Sequence, residues 1–531
     1  MLLFFSLLLV ALGQSAWVPM LSIGAASCGY ALFWRAMLRF PSQKTRFWLS
    51  VAWFAAVQAV QLSWMTSTQY MGPLILVVYL FLIFALGLQF GLLSFFLDAT
   101  SIALRGCFAV AGGWVLMEWI RLFFFSGFTW NPVALSLADS SLAIQFAAIA
   151  GVYGLSFWVI FVNALAVRAE RNWKRGAVWA ACAAFPYLFG LTHQAALEHL
   201  IPPQQTVHVA LVQTALKPEQ KGFFPGQGHA LVPPLQQWRQ IWDSLRDDMK
   251  PDLIVLPEAV VSIDAYTPFY PIHLAQEAWA KRFGKEALID LPPLEEPLAA
   301  LAPYNGRTIW KVSNAFFAQA LANHFQASVI AGFEDQKYNA AFQFDPGKAP
   351  QRMEKRVLVP IGEYLPFPNF QWLTRFFIEQ FGIGDSLRLG KEAKLFHGKM
   401  AIGPSICLEE TYSDLIRDLR LKGADLLVNV TNDVWFPSSR LPQQHFQHGR
   451  IRAAEHGVPV LRACNTGVTG AIDCFGNTIA ALTPSETERK VLYLSFQLRH
   501  FPTFYTWTGD WAILGFSLIC LLSGLLPRKK M

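Results

Sequence analysis

Residues 402–411 read IGPSICLEET: an apolar run brings Cys407 to its end, and a polar, acidic segment follows at once. The pattern predicts a buried strand, a helix starting just beyond it, and a thiol at the strand tip, where a nucleophile is wanted. The electropositive first turn of such a helix favours the thiolate, the form of cysteine that attacks a carbonyl carbon. A lone cysteine is also among the most buried and inert of residues. Its companions therefore decide the reading.

Outward from this stretch, beyond a linker at 202–205, short apolar runs alternate with amphipathic segments, the signature of a separate α/β domain. Strands are expected at 207–212, 253–256, 328–333, 340–344, 401–406, 426–430, 459–462, 470–473 and 491–495. Helices are expected at 235–249, 311–325, 411–421 and 442–456. Residues 262–308, rich in Pro, Ala and aromatics without a clear period, read as a long inserted loop with short helices.

The rest of the chain is of a different kind. Of the 531 residues 54% are hydrophobic and only 15% charged, with a mean hydropathy of +0.34, too apolar for a soluble protein of this size. Apolar segments at 2–12, 18–34, 47–64, 74–97, 102–125, 144–167, 177–191 and 511–526 predict a polytopic α-helical bundle of about eight spans. Segment 2–12 has the length of a signal-peptide core but lacks a basic start and a clear cleavage site, so it is kept as a short first helix. Arg35, Arg39, Lys44 and Arg46 lie between the second and third spans, and Arg168, Arg171, Lys174 and Arg175 between the sixth and seventh; Arg528, Lys529 and Lys530 follow the last. Cations so placed mark cytoplasmic loops and put both termini inside and 193–510 outside. The net charge of +7 thus has a membrane explanation and does not indicate a nucleic-acid partner. The predicted domains are a bundle at 1–200, a catalytic domain at 201–501, and a last helix with a basic tail at 502–531.

Seven cysteines without CxxC pairs indicate neither a disulfide scaffold nor a zinc site. Cys28, Cys107, Cys182 and Cys520 read as packing residues in apolar spans; Cys464 and Cys474 read as buried thiols, with a disulfide as the alternative. Glu118 and Arg121, three apart on the fifth span, are expected to form an ion pair at the outer interface. Trp130 and Asn131 are either interfacial anchors or the lining of a lipid-facing mouth.

Two further polar groups stand beside apolar runs as Cys407 does: Glu258 ends DLIVLPE, and Lys355 precedes VLVP. A carboxylate near a thiol can take its proton and later activate an incoming nucleophile. An ammonium can favour the thiolate and hold the oxyanion of a tetrahedral intermediate. Singly, each has a plain alternative as a loop carboxylate, a solvated cation or core filling.

Taken together in order, LPEA, EKRVLVPIGEYLP, SICLEE and VNVTNDVWF resemble the Glu-Lys-Cys signatures of the nitrilase superfamily. The whole arrangement, with SGFTW, VALVQ, QHFQHGRIRAAE, LRACNTG and TGDW in place, resembles the bacterial apolipoprotein N-acyltransferases, in which a nitrilase-like domain precedes the last membrane helix. The resemblance implies an αββα sandwich (the CN hydrolase fold) on a membrane bundle, multi-pass in the bacterial inner membrane, with the catalytic domain on the periplasmic face. It implies Glu258 as general base, Lys355 as oxyanion-stabilising lysine, Cys407 as nucleophile, and Glu363 and Glu409 as supporting carboxylates. Trp435 and Phe436 match an aromatic loop that serves as lid or lipid contact. The implied reaction moves an acyl chain from a phospholipid donor, through a thioester, to the α-amino group of a diacylglyceryl apolipoprotein acceptor, with no cofactor and no metal.

Departures from the family pattern are Thr129-Trp130 in place of Pro-Trp, Ile361 in place of an aromatic, Leu408 after the nucleophile, and the long 262–308 insertion. His445, His448, Glu455 and His456 lack the HExxH spacing of a metal site. The glycine-rich GIGDSLRLG does not match a phosphate-binding loop, and Asn429 begins an N-x-T sequence on a strand expected to be buried. A membrane-tethered amidase using the same three residues, and a catalytically silent membrane scaffold, are the alternatives. Several spans argue against a simple tether, and the complete residue set argues against the scaffold.

Overall fold

A computed structural model describes all residues except 98–102, 170–171, 223–229, 367–368, 382–385 and 527–531. Arg171, the tail cations Arg528, Lys529 and Lys530, and the start of GIGDSLRLG lie outside the described residues.

Two six-stranded sheets pack face to face. The first has the order Lys490–Leu498, Gln205–Gln213, Leu253–Val255, Ser328–Asp335, Tyr338–Phe344, Gln351–Glu354. The second has the order Thr478–Ala481, Gly470–Ile472, Val460–Cys464, Leu426–Thr431, Ala401–Ile406, Phe396–His397. Side chains alternate across a strand: Val207, Val209 and Leu211 point into the space between the sheets, with Ile402, Ile406, Val428 and Val430. Ala210 and Val212 point the other way, toward Trp238, Trp242, Trp279 and Phe317 of the covering helices. Both faces are buried, which is why these strands read as nearly continuous apolar runs. On the outer side of the second sheet lie the helices Ser413–Leu421 and Leu441–His456, so the layers run αββα.

Several local expectations change. Residues 262–308 are not a loop: Tyr270–Pro271, Ala299–Tyr304 and Arg307–Val312 form a three-stranded antiparallel sheet, and Ile272–Phe283 is a helix that buries Trp279. The next helix starts at Asn314, capped by the Ser313 hydroxyl, because residues 311 and 312 belong to that sheet. A helix does not follow Cys407 at once: Cys407–Thr411 is a single 3-10 turn, and the α-helix opens at Ser413.

On the membrane side, Ile75–Phe96, Leu104–Phe123 and Ala147–Arg168 are long and apolar enough to cross a bilayer. Leu2–Leu12 and Trp511–Leu525 are apolar but shorter. Among the described residues, membrane crossing by length and composition rests on those three; of the remaining expected spans the second is interrupted, the third is partly polar, and the seventh lies on the continuous helix Trp173–Leu200, which contains Pro186. The second contains a π-helical turn at Ala25–Gly29, stitched by Asn163, whose Oδ1 accepts from the Tyr30 and Ala31 amides. The third, Gln43–Gln61, opens on cations and buries Gln58 and Gln61. Val77, Leu80, Phe81, Ile519 and Leu522 point outward from their helices, as side chains facing lipid do.

The bundle and the sandwich are joined chiefly by the helix Leu441–His456, buried along most of its length. Its Gln444 accepts from Trp64 Nε1 at 2.8 Å and donates to the Trp130 carbonyl at 3.1 Å. Its Glu455 Oε1 accepts from the Val152 amide at 2.8 Å, at the kink where Gly151 has φ 65° and a Cβ would overlap the Tyr505 ring. Asn131 is no surface anchor: it is buried among Gln14, Gln58, Gln61 and Gln444. Trp130 packs edge-on against His445. Glu118 and Arg121 are both buried and turn to other partners: Glu118 Oε1 accepts from Trp114 Nε1 and the Val133 amide, and Arg121 Nε donates to Gln89. Cys464 and Cys474 are buried free thiols.

Candidate active site

Three strand ends converge. Glu258 lies just beyond the strand Leu253–Val255, and its backbone is pressed against Gly332, where a Cβ would stand 2.6 Å from the Glu258 Cα. Only glycine permits that approach. Lys355 follows the strand Gln351–Glu354, not an apolar run, and its amide donates to the Asn339 carbonyl at 2.8 Å. Cys407 follows Ala401–Ile406 with φ 53°. Ala259 (φ 42°) and Ile361 (φ 67°) share the left-handed region, which costs a residue with a side chain on the order of 1–3 kcal/mol and tends to gather at functional sites.

The Lys355 ammonium, 1% exposed, donates to Glu258 Oε1 at 3.0 Å and to Glu363 Oε1 at 2.8 Å. Asn339 Nδ2 donates to the same two oxygens, at 2.7 and 2.9 Å. Glu363 Oε2 accepts from the Val359 amide. One ammonium and one amide thus hold together two carboxylates, Glu258 buried and Glu363 partly exposed. Burial alone would lower the ammonium, but Glu258 and then Glu363 overcome it and hold Lys355 well above its ordinary value. Burial, and next the Glu258 charge, push the Cys407 thiol up, with Lys355 opposing. The expected helix dipole does not enter, because the α-helix starts six residues on. Burial and the neighbouring carboxylate thus both oppose the thiolate.

Glu409 ties two of these ends together. Its Oε1 accepts from the Arg356 amide at 2.5 Å and the Val357 amide at 3.2 Å, and its Oε2 from the Ile406 amide at 2.8 Å. The segment after Lys355 is thereby fixed to the residue before Cys407. Asn429, buried on Leu426–Thr431, donates to the Cys407 carbonyl at 3.1 Å. Trp435 is 39% exposed and meets Tyr70 edge-on, while Phe436 packs edge-on against Trp64, so the aromatic turn lies over the bundle side. His445 Nδ1 lies 2.8 Å from Asp433 Oδ1, and His448 Nε2 donates to the Trp130 carbonyl. Among the described residues no cluster of three or more His, Cys, Asp or Glu is arranged to hold a metal.

Two site residues are absent from the sequence reading. Asn339 gave no motif signal; its place comes from the pairing of Tyr338–Phe344 with Gln351–Glu354. Lys221, partly buried, donates Nζ to the Ala259 carbonyl at 2.7 Å; burial pulls it down to about 8, with Glu258 and Glu334 opposing. Its cue was a lysine shortly after VALVQ, at the end of the first strand.

A thiol beside a carboxylate and an ammonium is the equipment for nucleophilic acyl transfer. Comparison with known proteins agrees. Residues 210–500 match the carbon-nitrogen hydrolase family, and residues 5–165 match the apolipoprotein N-acyltransferase N-terminal domain. The apolipoprotein N-acyltransferase of Chlamydia pneumoniae is 32% identical over 98% of this chain and 97% of its own length. That of Chlamydia caviae is 30% identical over 97% and 95%, and that of Haemophilus ducreyi 28% over 94% and 91%.

Proposed function

This chain belongs to the apolipoprotein N-acyltransferase family, and from that premise we propose how its residues carry out the transfer. Glu258 takes the Cys407 proton, and the sulfur attacks the ester carbonyl of a membrane phospholipid. Lys355 holds the oxyanion that forms. Collapse of the intermediate breaks the ester bond, Glu258 returns the proton to the departing oxygen, and a thioester and a lysophospholipid result. Glu258 then removes a proton from the α-amino group of a diacylglyceryl-cysteine. The nitrogen attacks the thioester, and the sulfur leaves and is reprotonated.

The observation that carries this reading is the buried Lys355 bridge between Glu258 and Glu363, beside a thiol whose elevated value makes a base necessary. Glu363 holds the Lys355 ammonium together with Glu258, and Glu409 keeps Lys355 and Cys407 in register. Trp435 and Phe436 cover the passage between thiol and bundle.

The membrane half supplies both lipid-anchored substrates. In this reading 1–200 is a seven-span bundle, 201–501 the catalytic domain, and 502–531 an eighth span, with the catalytic domain on the outer face of the inner membrane and both termini inside. A fluorescent-protein fusion after residue 531 should fluoresce; a dark but expressed fusion would refute this orientation.

Purified protein in micelles with a phospholipid and a diacylated lipopeptide should release lysophospholipid and N-acylated peptide in equal amounts. Free fatty acid with no acylated peptide would instead make the protein a hydrolase.

A further inference from the structure

Behind the thiol lies a second buried charge cluster that the catalytic steps do not use. Arg462, on the strand Val460–Cys464, is fully buried. Its Nη1 pairs with Glu410 Oε2; its Nη2 lies 3.1 Å from Asp433 Oδ2 and 2.7 Å from His445 Nδ1; its Nε donates to the Val468 carbonyl at 3.2 Å. Glu410 and Asp433 are buried as well.

The two carboxylates sit at telling places. Glu410 belongs to the single turn Cys407–Thr411 that begins with the nucleophile. Asp433 opens the turn Asp433–Trp435, with Phe436 next, which carries the aromatic pair lying over the bundle. One planar guanidinium thus bridges the thiol turn and the aromatic turn. His445, the third partner, packs edge-on against Trp130 and extends the tie to the bundle. Arginine suits such a bridge because its donors form a rigid fork; lysine offers one point charge. A buried ion cluster contributes little net stability compared with apolar packing, so its use is sought in geometry.

We propose that Arg462 is a positioning residue that locks the nucleophile turn to the aromatic turn, keeping water from the Cys407 thioester while it waits for the amine. The inference rests on the acyl-transfer reading above. In the unwanted side reaction, water gives its oxygen to the acyl carbon and a proton to the departing sulfur, and free fatty acid results.

The test is the partition of the acyl-enzyme between amide and fatty acid, measured with full-length wild type, Arg462→Lys and Glu410→Gln in phospholipid micelles containing a diacylated lipopeptide. Both variants should form thioester at close to the wild-type rate, yet raise the ratio of fatty acid to amide by about tenfold, a modest share of what a misplacement of about 1 Å can cost. Arg462→Lys should not restore the ratio, although it keeps the charge. Glu410→Gln, which retains size and an acceptor, provides the readout should Arg462→Lys fold poorly. An unchanged ratio in Glu410→Gln, with activity falling only in step with folded protein, would overturn the proposal. Absence of amide from the wild type would instead overturn the acyl-transfer reading itself.

Discussion

Replacing Lys355 by Met removes one charge from a site that holds three. The ammonium contacts Glu258 and Glu363 at 3.0 and 2.8 Å. At an effective dielectric constant of about 20, each contact is worth roughly 5 to 6 kcal/mol of gross Coulomb energy, much of it offset by the cost of burying the ions. Removing one partner of a buried pair typically costs about 3–5 kcal/mol, because a bare charge is left behind. In Lys355→Met two carboxylates would face each other with only the Asn339 amide between them. Adding Glu363→Gln removes one of those charges, and most of the loss should return, leaving about 1–2 kcal/mol for the missing hydrogen bonds. Activity should not follow. Without the ammonium the oxyanion loses its donor, a loss of about 100- to 1,000-fold in turnover, and this holds in single and double variants alike. Thermal unfolding read by the fluorescence of the buried Trp238, Trp242 and Trp279 reports stability, and acyl transfer per folded molecule reports catalysis. Recovery of activity together with stability in the double variant would refute the assignment of Lys355 to the oxyanion.

Three further outcomes follow from the same geometry. Burial and the Glu258 charge raise the Cys407 thiol, so its alkylation by iodoacetamide should keep accelerating beyond about pH 9, where an ordinary cysteine levels off; Glu258→Gln should speed it at fixed pH, and a plateau below about pH 8 would contradict the cause. Glu409→Gln sets an amide against three backbone N–H donors and should cost at least about 2 kcal/mol, seen as a lower unfolding temperature; an unaltered temperature would remove Glu409 from its tying role. Burial holds the Glu455 carboxyl up at about 7 from an ordinary 4.5, with Arg452 opposing. The folded chain therefore binds this proton more tightly than the unfolded one. Its contribution is full below pH 4.5 and falls by up to roughly 3 kcal/mol as pH climbs to 7; Glu455→Gln should flatten that slope, and an identical slope would refute the linkage.

The sandwich was legible where strands are buried on both faces, as at 253–256, 401–406 and 426–430, because such strands are apolar at most positions, Ser405 and Asn429 being polar exceptions. It was not legible at Gln351–Glu354, whose sequence QRME carries no apolar signal, although Lys355 depends on it. The sheet within 262–308 was hidden for a related reason: Ala299–Tyr304 and Arg307–Val312 are half exposed, and their pattern is diluted. In the bundle, Asn131 and Glu118 look like interface residues in sequence but are buried, Asn131 donating to Gln58 and Glu118 accepting from the Val133 amide. Glu258 and Cys407 stood out as candidates because each ends a short apolar run, and Lys355 because it stands just before VLVP. Asn339 and Arg462 did not, since their meaning lies in which strands pair across the sheets. The burial that opposes the Cys407 thiolate is likewise a property of the fold and has no cue in the sequence.

The most direct measurement is the intact mass of the purified protein after incubation with a phospholipid of defined acyl chains, followed by a chase with diacylated lipopeptide. A single acyl increment on Cys407, absent from Cys407→Ala and discharged to the peptide amine, is the result expected. An unmodified Cys407 alongside continued formation of N-acylated peptide would contradict a thioester held by this thiol.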